Sequence, residues 1–284
     1  MSGKSALSRS VPLRRRSLPL SQWGIRTTAL IYMTLMLLIP LLVILQDGLS
    51  EGLSMLWYQI SLPIAASALR LTLWTSAIMT IINSVMGLLT AYVLVRYQFP
   101  GKAIINGIID LPLAIPTLVT GVMLVVLYGP QQVVGGWLRD ELGISIIFAP
   151  PGIILAMLFI TFPFVVRTVQ PVLMSLDRNQ EQAAATLGAN GWTIFRRIVL
   201  PPLLLPLLSG ALLSFGRAIG EFGATVVVAG NIPFRSQTAA VYVFGEVESE
   251  NRLGASAVSL VMVAISFGLM LVVDRLQRRI SKKE

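Results

Sequence analysis

Long apolar stretches recur along the whole chain, separated by short polar or charged segments. Each stretch is close to the roughly 20 residues that an α-helix needs to cross the hydrocarbon core of a bilayer. The pattern predicts six such spans, approximately at residues 27–45, 71–95, 103–128, 150–166, 203–229 and 255–273. The chain is therefore predicted to be an all-α integral membrane protein, because a helix satisfies its own backbone hydrogen bonds in lipid.

Composition agrees with the span pattern and removes several classes of chemistry. Hydrophobic residues make up 55% of the chain and charged residues only 12%, with a mean hydropathy of +0.79. Cys and His are both absent, which excludes disulfides, thiol catalysis, Cys/His zinc sites and an imidazole base. We therefore expect neither a catalytic residue nor a metal site.

The net charge of +9 is distributed unequally between the two sides of the predicted spans. One side carries nearly all of the Lys and Arg residues, whereas the other side carries only Arg70, Arg139, Arg235 and Arg252. That second side also carries the acids Asp47, Glu51, Asp140, Glu141, Glu246, Glu248 and Glu250. The positive-inside rule places both termini and the loop 167–202 in the cytoplasm. The basic character is thereby explained by topology, and we expect no nucleic-acid partner.

The chain leaves no stretch long enough for a soluble domain. We divide it into a basic cytoplasmic tail over residues 1–26, a six-span domain over 27–274, and a second basic tail over 275–284. The first tail is polar and is expected to be mobile and to touch anionic lipid headgroups. No G-x-x-x-x-G-K-[ST] motif is present, so the chain is not expected to be an ATP-hydrolysing enzyme.

The predicted fifth span contains two charged residues, Arg217 and Glu221. Charges at bilayer depth are costly and by default indicate function. Their spacing of four places them on one helix face, where they can pair. Gly216, Gly220 and Gly223 leave the backbone open to another helix or to a solute. The pair, together with Gly220 and Gly223, is expected to line a translocation pathway or gate; a buried ion pair that only sets helix register is the alternative.

The predicted third span is interrupted by Pro112 and Pro116 and also contains Asp110. Two prolines four residues apart remove two backbone donors and are expected to kink the helix. Asp110 lies near the cytoplasmic end, where a carboxylate paired with a loop needs no further role. Arg167, at the inner end of the fourth span, is expected to anchor that helix at the membrane interface.

A cytoplasmic loop over about 177–201 contains a spaced motif. Its residues are Glu181, Gln182, Ala183, Ala184, Gly188, Ile198, Leu200 and Pro201, with nine residues between Gly188 and Ile198. Asp177 and Asn190 are suited to cap two helices, and Gly188 suits the left-handed position that ends the first. The pattern predicts a helix–turn–helix whose second helix runs toward the membrane. An ordinary helical hairpin is the alternative.

The spacing resembles the EAA loop of ABC-importer permeases, a Glu-Ala-Ala-x₃-Gly-x₉-Ile-x-Leu-Pro pattern. In that family the loop sits in a groove of the cytosolic ATPase and transmits its motion. The resemblance implies the type I ABC importer permease fold and a role in ATPase coupling for the motif residues. Gln182 stands where the family has glutamate, which puts a charged contact there in doubt unless Glu181 supplies it.

Residues 110–117, 162–173 and 214–233 further resemble the T-type subunit of sulfate/thiosulfate importer permeases, within a similarity covering roughly residues 30–280. The resemblance implies transport of sulfate, and of thiosulfate, across a bacterial plasma (inner) membrane. It implies a cytosolic ABC ATPase dimer, a second related permease subunit that makes a heterodimer, and an extracytoplasmic sulfate-binding protein. No cofactor would bind this chain, and ATP and Mg would bind the partner ATPase.

Several alternatives stay open at this point. The run from Arg217 to Pro233 is shared with molybdate permeases, so another oxyanion is the nearest alternative substrate. A secondary transporter would also place charges at mid-membrane, but it would have no use for the loop 177–201. A non-transport membrane scaffold would not need Arg217 at membrane depth. A homodimer and an organellar membrane are not excluded.

Overall fold

The computed structural model describes residues 20–281, and within that range every regular element is a helix. The helices are α1 (Leu20–Met33), α2 (Ile39–Leu49), α3 (Gly52–Ser61), α4 (Pro63–Arg96), α5 (Lys102–Ala114), α6 (Thr117–Tyr128), α7 (Val133–Leu142), α8 (Pro150–Ser175), α9 (Arg178–Thr186), α10 (Gly191–Ile194), α11 (Leu200–Ile219), α12 (Gly223–Ala229), α13 (Ala239–Glu248) and α14 (Arg252–Ser281). Short π-helical segments join α1 to α2 and α10 to α11. The predicted all-α fold is confirmed.

Five continuous helical segments in the described residues are long and apolar enough to cross a membrane. They are Trp23–Leu49, Pro63–Arg96, Pro150–Ser175, Gly191–Ile219 and Arg252–Arg278. The bent pair α5 and α6 makes a sixth if it counts as one span. These segments extend past most of the predicted ends, because a helix continues through the headgroup region where polar residues are tolerated.

Helices extend into both predicted tails. Helix α1 begins at Leu20, inside the tail predicted over 1–26, and residues 1–19 lie outside the described residues. Helix α14 continues to Ser281, inside the tail predicted over 275–284. The basic residues of this last turn form no break in the helix, because Arg and Lys are good helix formers.

Among the described residues, those up to Ile44 form one compact unit, and those from Leu45 onward form the other. In the first unit, α1 and the π-helical turn Thr34–Leu38 form a continuous apolar rod. Nearly all side chains from Trp23 to Val43 are exposed, including large ones such as Tyr32 and Met36. An apolar helix with exposed side chains on all faces suits a lipid environment.

The core of the second unit is built where α4, α8 and α11 cross. Small residues allow the close approach: a Cβ on Gly87 would lie 2.8 Å from the Val165 side chain, and one on Gly210 would lie 3.0 Å from the Val165 Cα. Asn83 of α4 donates from Nδ2 to Thr161 Oγ1 of α8 at 2.9 Å. Close packing of small residues and a few interhelical hydrogen bonds are the forces that join helices in lipid.

The third predicted span is bent by 110° between α5 and α6. Pro112 lies inside α5, and Pro116 is the residue that precedes the first turn of α6. The predicted kink is confirmed, and it is a full break because the residue before Pro116 takes an extended conformation. Helix α6 then packs against α12, where a Cβ on Gly223 would lie 2.2 Å from Thr117 Oγ1.

The fifth predicted span, 203–229, is wrong as a continuous helix. Helix α11 ends at Ile219, Gly220 is its C-cap, and α12 starts at Gly223. The expectation that Arg217 and Glu221 share one helix face fails with it, since Glu221 lies in the break. Glycine near a helix end and a carboxylate before the next helix both favour termination and restart.

Candidate functional site

The first helix of the loop 177–201 is capped at both ends. At its start, the Asp177 carboxylate accepts the Asn179 N–H at 2.9 Å. At its end, Gly188 has φ +85°, its N–H donates to Ala185 O at 3.0 Å, and the Ala189 N–H donates to Ala184 O at 3.1 Å. This pair of bonds is a Schellman motif, which requires the left-handed residue that glycine supplies. The predicted positions of both caps are confirmed.

The second helix of the loop leads directly into the membrane bundle. Asn190 Oδ1 accepts the Thr193 N–H at 2.8 Å, and the helix continues through the π-helical segment Phe195–Val199 into α11. The two prolines that follow Leu200 have no N–H to donate. Just before them the helix has i→i−5 hydrogen bonds in place of i→i−4, and the Leu200 N–H donates to Phe195 O. A continuous helical connection therefore joins the turn at Gly188 to α11.

The loop is also tied to the end of α4. Arg96 Nη2 forms an ion pair with Glu181 Oε1, and their side chains are only 8% and 18% exposed. Arg178 Nη2 donates to Val95 O at 3.0 Å. The sequence interpretation had counted Arg96 and Arg178 only as topology signals and missed both contacts. Together they fix α9 against α4.

The motif residues divide into an exposed set and an anchoring set. Gln182, Ala183 and Gly188 are exposed, whereas Leu200 packs against the buried cluster that contains Val199. Two large apolar side chains beside the turn are also exposed, Leu187 at 88% and Trp192 at 67%. The sequence interpretation did not assign these two residues. Leu187 lies outside the apolar segments and Trp192 lies at the start of one of them, Gly191–Ile219, so the two side chains form an exposed apolar tip beside the turn.

Arg217 and Glu221 are paired across the break between α11 and α12. Arg217 Nη1 lies 2.8 Å from Glu221 Oε2, and the side chains are 36% and 2% exposed. Glu221 Oε1 also accepts the Ala224 N–H at 2.9 Å, at the start of α12. Glu221 is therefore a buried carboxylate that binds both Arg217 and the start of α12, whereas the Arg217 side chain is partly exposed.

Two glycines near Arg217 in the sequence face open space. A Cβ on Gly216 or on Gly220 would have no heavy atom of this chain within 4 Å. Gly223, in contrast, is in close contact with Thr117. The four predicted pathway residues thus differ: Arg217 and Gly220 adjoin open space, whereas Glu221 and Gly223 are packed. This arrangement can present a cation to an anion while the break itself stays fixed.

A second charged cluster joins α5 to α8. Arg167 Nε and Nη2 donate to the two Asp110 carboxylate oxygens at 2.8 and 2.5 Å. Nη1 donates to Asn106 Oδ1 at 2.9 Å and to Gln170 Oε1 at 2.7 Å, and Nη2 also donates to Asn106 O at 2.8 Å. All five guanidinium donors are satisfied. The interface role expected for Arg167 stays a prediction; the structure adds that its side chain binds the neighbouring helix α5 and Gln170 of its own helix.

Replacing Arg167 with Ala is expected to lower the stability of the protein by roughly 2 kcal/mol, between the values for exposed and buried ion pairs. The reason is that Asp110 and Asn106 lose their shared partner. Thermal unfolding in detergent, followed by tryptophan fluorescence, measures the change. The matched control is Arg278→Ala, which removes the exposed pair with Asp274 within one helix and should barely change the transition. Equal melting temperatures for the two variants would contradict the role of the cluster.

The chain is similar in sequence to a known protein family and to individual members of it. The family profile described as binding-protein-dependent transport system inner membrane component matches residues 83–283. The probable sulfate transport system permease protein cysT of Nephroselmis olivacea is 40% identical over 270 residues, covering 95% of this chain and 94% of that protein. The sulfate transport system permease protein CysT of Synechocystis sp. is 41% identical over 249 residues, covering 88% and 87%.

Solved structures resemble the fold at lower sequence identity. A chain of a bacterial alginate ABC transporter, in complex with an alginate-bound periplasmic protein, superposes with a TM-score of 0.75 at 16% identity, covering 93% of this chain and 96% of that chain. A chain of an inward-facing methionine ABC transporter gives a TM-score of 0.55 at 18% identity, covering 76% and 96%. These similarities show that the chain shares its overall fold with these transporter chains.

Proposed function

The chain belongs to the family of binding-protein-dependent transport system inner membrane components, and from this we propose that it is the permease subunit of an ATP-driven sulfate importer. Thiosulfate is proposed as a second substrate, because it carries the same charge on a similar tetrahedral frame. The sulfate assignment rests on curated relatives that match nearly the whole chain and are named sulfate permeases.

The observation that carries the transport mechanism is the loop 177–201. An exposed apolar tip at Leu187 and Trp192 is fixed to α4 through Arg96 and leads without interruption into α11. This arrangement serves transport only if a separate protein binds the tip and moves it. We assign that role to a cytosolic ABC ATPase dimer that binds ATP and Mg, and we propose that the exposed motif residues Gln182 and Ala183 of α9 contact it.

Three further assignments complete the proposal. Both termini and the loop 177–201 are placed in the cytoplasm by the distribution of Lys and Arg. A second related permease forms the other half of the pathway, and an extracytoplasmic sulfate-binding protein delivers the anion. The bacterial inner membrane is the proposed location, in keeping with the family description.

The pathway is proposed to pass Arg217. An anion with two charges needs a compensating field when it leaves water, and a preorganised guanidinium supplies it without rearrangement. Glu221 holds Arg217 in place and keeps the local net charge near zero when no anion is present. Gly220 leaves the space through which the anion passes, and Gly223 allows α12 to pack against α6.

A second candidate is import of molybdate or another tetrahedral oxyanion. Arg217 recognises charge and not the central atom, so the pathway itself discriminates poorly between such anions. Selectivity is better placed in the binding protein, whose donors can read size and protonation. A secondary transporter is the less favoured candidate, because it gives the loop 177–201 no partner.

Uptake of labelled sulfate in cells lacking this chain tests the proposal. We expect uptake to be lost, restored by the gene in trans, and competed by unlabelled thiosulfate more strongly than by molybdate. The chain should also co-purify with a cytosolic ATPase, which separates an importer from a secondary transporter or a scaffold. Restored uptake of molybdate but not of sulfate would overturn the substrate assignment and keep the importer.

A further inference from the structure

A small cavity lies at the end of α6 and α12 that is remote from the loop 177–201. Its volume is about 220 Å³, and its lining includes Tyr128, Gly135, Arg139, Ser145, Ile232 and Arg235. One water occupies about 30 Å³ in the liquid, so the space can accept a tetrahedral oxyanion of five heavy atoms together with several waters. The distribution of charge assigns this end of the protein to the extracytoplasmic side.

The cavity contains two of the few basic residues that are assigned to the extracytoplasmic side. Only four Lys or Arg residues are assigned to it, against seven acids, and two of the four line this one cavity. Arg139 Nε lies 2.8 Å from Asp140 Oδ1, so its charge is partly balanced. Arg235 is exposed, and its side chain forms no ion pair or hydrogen bond with the residues that the structure describes. The cavity therefore has a net positive charge.

The walls of the cavity are held by hydrogen bonds and close packing. The Phe148 N–H donates to Val228 O at 2.8 Å, which joins the segment before α8 to α12. In the segment after α12, Ser236 Oγ donates to Ala229 O at 2.5 Å and Gln237 Nε2 donates to Asn231 Oδ1 at 2.8 Å. A rigid, preorganised frame of this kind lowers the entropic cost of binding a ligand.

Helix α12 connects this cavity to the charged break in α11–α12. It has seven residues, which at about 1.5 Å per residue makes it roughly 10 Å long. Glu221 lies just before its first turn, and Asn231 and Ile232 lie just after its last. Arg235 and Arg217 are therefore placed at opposite ends of the same short helix.

We propose that this cavity is an outer receiving site for the divalent oxyanion, which Arg235 and Arg139 hold before it moves to Arg217. The inference rests on the proposed function. A cleft of one charge sign raises the local concentration of its ligand, and this electrostatic attraction needs only the positive charge of the two side chains. The same positive charge could instead receive an acidic side chain of the binding protein, and the test separates these two outcomes.

The test uses the complete complex in proteoliposomes with ATP inside and sulfate-loaded binding protein outside. Two quantities are measured for each variant: sulfate imported per ATP hydrolysed, and the binding-protein concentration that half-saturates ATP hydrolysis. For the double variant Arg139→Gln, Arg235→Gln we expect the first quantity to fall about tenfold. The second should stay within about twofold of wild type, because the docking surface is unchanged.

Two further variants act as controls. Arg252→Gln removes another arginine of the same side that is outside the cavity lining, and both quantities should match wild type. Arg235→Lys keeps the positive charge on an exposed loop position and should retain at least half of the wild-type import per ATP. Loss in Arg235→Lys as large as in the double variant would contradict an electrostatic role.

The remaining outcomes overturn the inference. A raised half-saturating concentration with unchanged import per ATP would assign the cavity to docking of the binding protein. Unchanged values for both quantities in the double variant would leave the cavity without a role in transport. If wild type and Arg252→Gln also fail to import sulfate, the proposed function is what fails. These results separate the receiving site from the substrate assignment.

Discussion

Gly188→Val is expected to uncouple ATP hydrolysis from transport. Gly188 has φ +85°, a conformation that costs a β-branched residue on the order of 1–2 kcal/mol or more. No heavy atom lies within 4 Å of a Cβ built there, so the effect would come from backbone strain and not from a clash. The turn would shift, and the exposed tip at Leu187 would leave its partner surface. We expect stimulation of ATP hydrolysis by loaded binding protein to fall about tenfold, the factor that 1.4 kcal/mol represents.

Three control variants isolate the cause. Gly188→Asn should keep most activity, because asparagine tolerates the left-handed conformation. Gly52→Val introduces the same strain at φ +86° on a different part of the chain, again with no heavy atom within 4 Å, and should leave stimulation unchanged. Gln182→Glu, which restores the family residue, should also be tolerated. Normal uptake at normal expression in Gly188→Val would remove the coupling assignment of the loop.

Arg217→Ala is expected to abolish sulfate uptake while ATPase binding persists. The anion would lose its compensating charge in a site away from bulk water, at a cost on the order of a few kcal/mol. The loop 177–201 is untouched, so the complex should still assemble. Uptake and complex yield, measured side by side, separate a loss of transport from a loss of folding.

The structure supplies a sharper control than removal of either charge alone. Glu221 is buried and holds both Arg217 and the Ala224 N–H, so a single variant leaves an unpaired charge or an uncapped helix. In the double variant Arg217→Ala, Glu221→Gln, the amide oxygen can still accept the Ala224 N–H and no charge is left unpaired. We expect this variant to assemble and not to transport. If it does transport, the pair serves helix packing and the anion path lies elsewhere.

Local signals were strong enough to predict the loop 177–201 in some detail. The caps at Asp177, Gly188 and Asn190 use hydrogen bonds that span only two to five residues. Each cap can therefore be predicted from the few residues around it. The prolines at 112 and 116 similarly predicted the break in the third span, because a missing N–H has a local consequence. The size of the bend, 110°, depends on packing of α6 against α12 and could not be read from the sequence.

Contacts between distant segments were the part that sequence reasoning missed. Arg96 was assigned to topology and is an ion-pair partner of Glu181. Arg167 was assigned to the interface and binds Asp110 with two hydrogen bonds. In each case the sequence shows a charge and its depth but gives no sign of which helix will face it. Pairing across helices depends on how α4, α5 and α8 rotate about their axes.

The sequence by itself determined the class of protein, most of its spans and the helix–turn–helix of the loop. These follow from hydrophobic length, charge asymmetry and capping, which act over short distances along the chain. Only the tertiary structure decided that α11 stops at Ile219, that Glu221 is buried while Arg217 adjoins open space, and that Arg139 and Arg235 line one cavity. Those facts arise because helix packing brings together residues that are far apart in the sequence, and no local pattern encodes that arrangement.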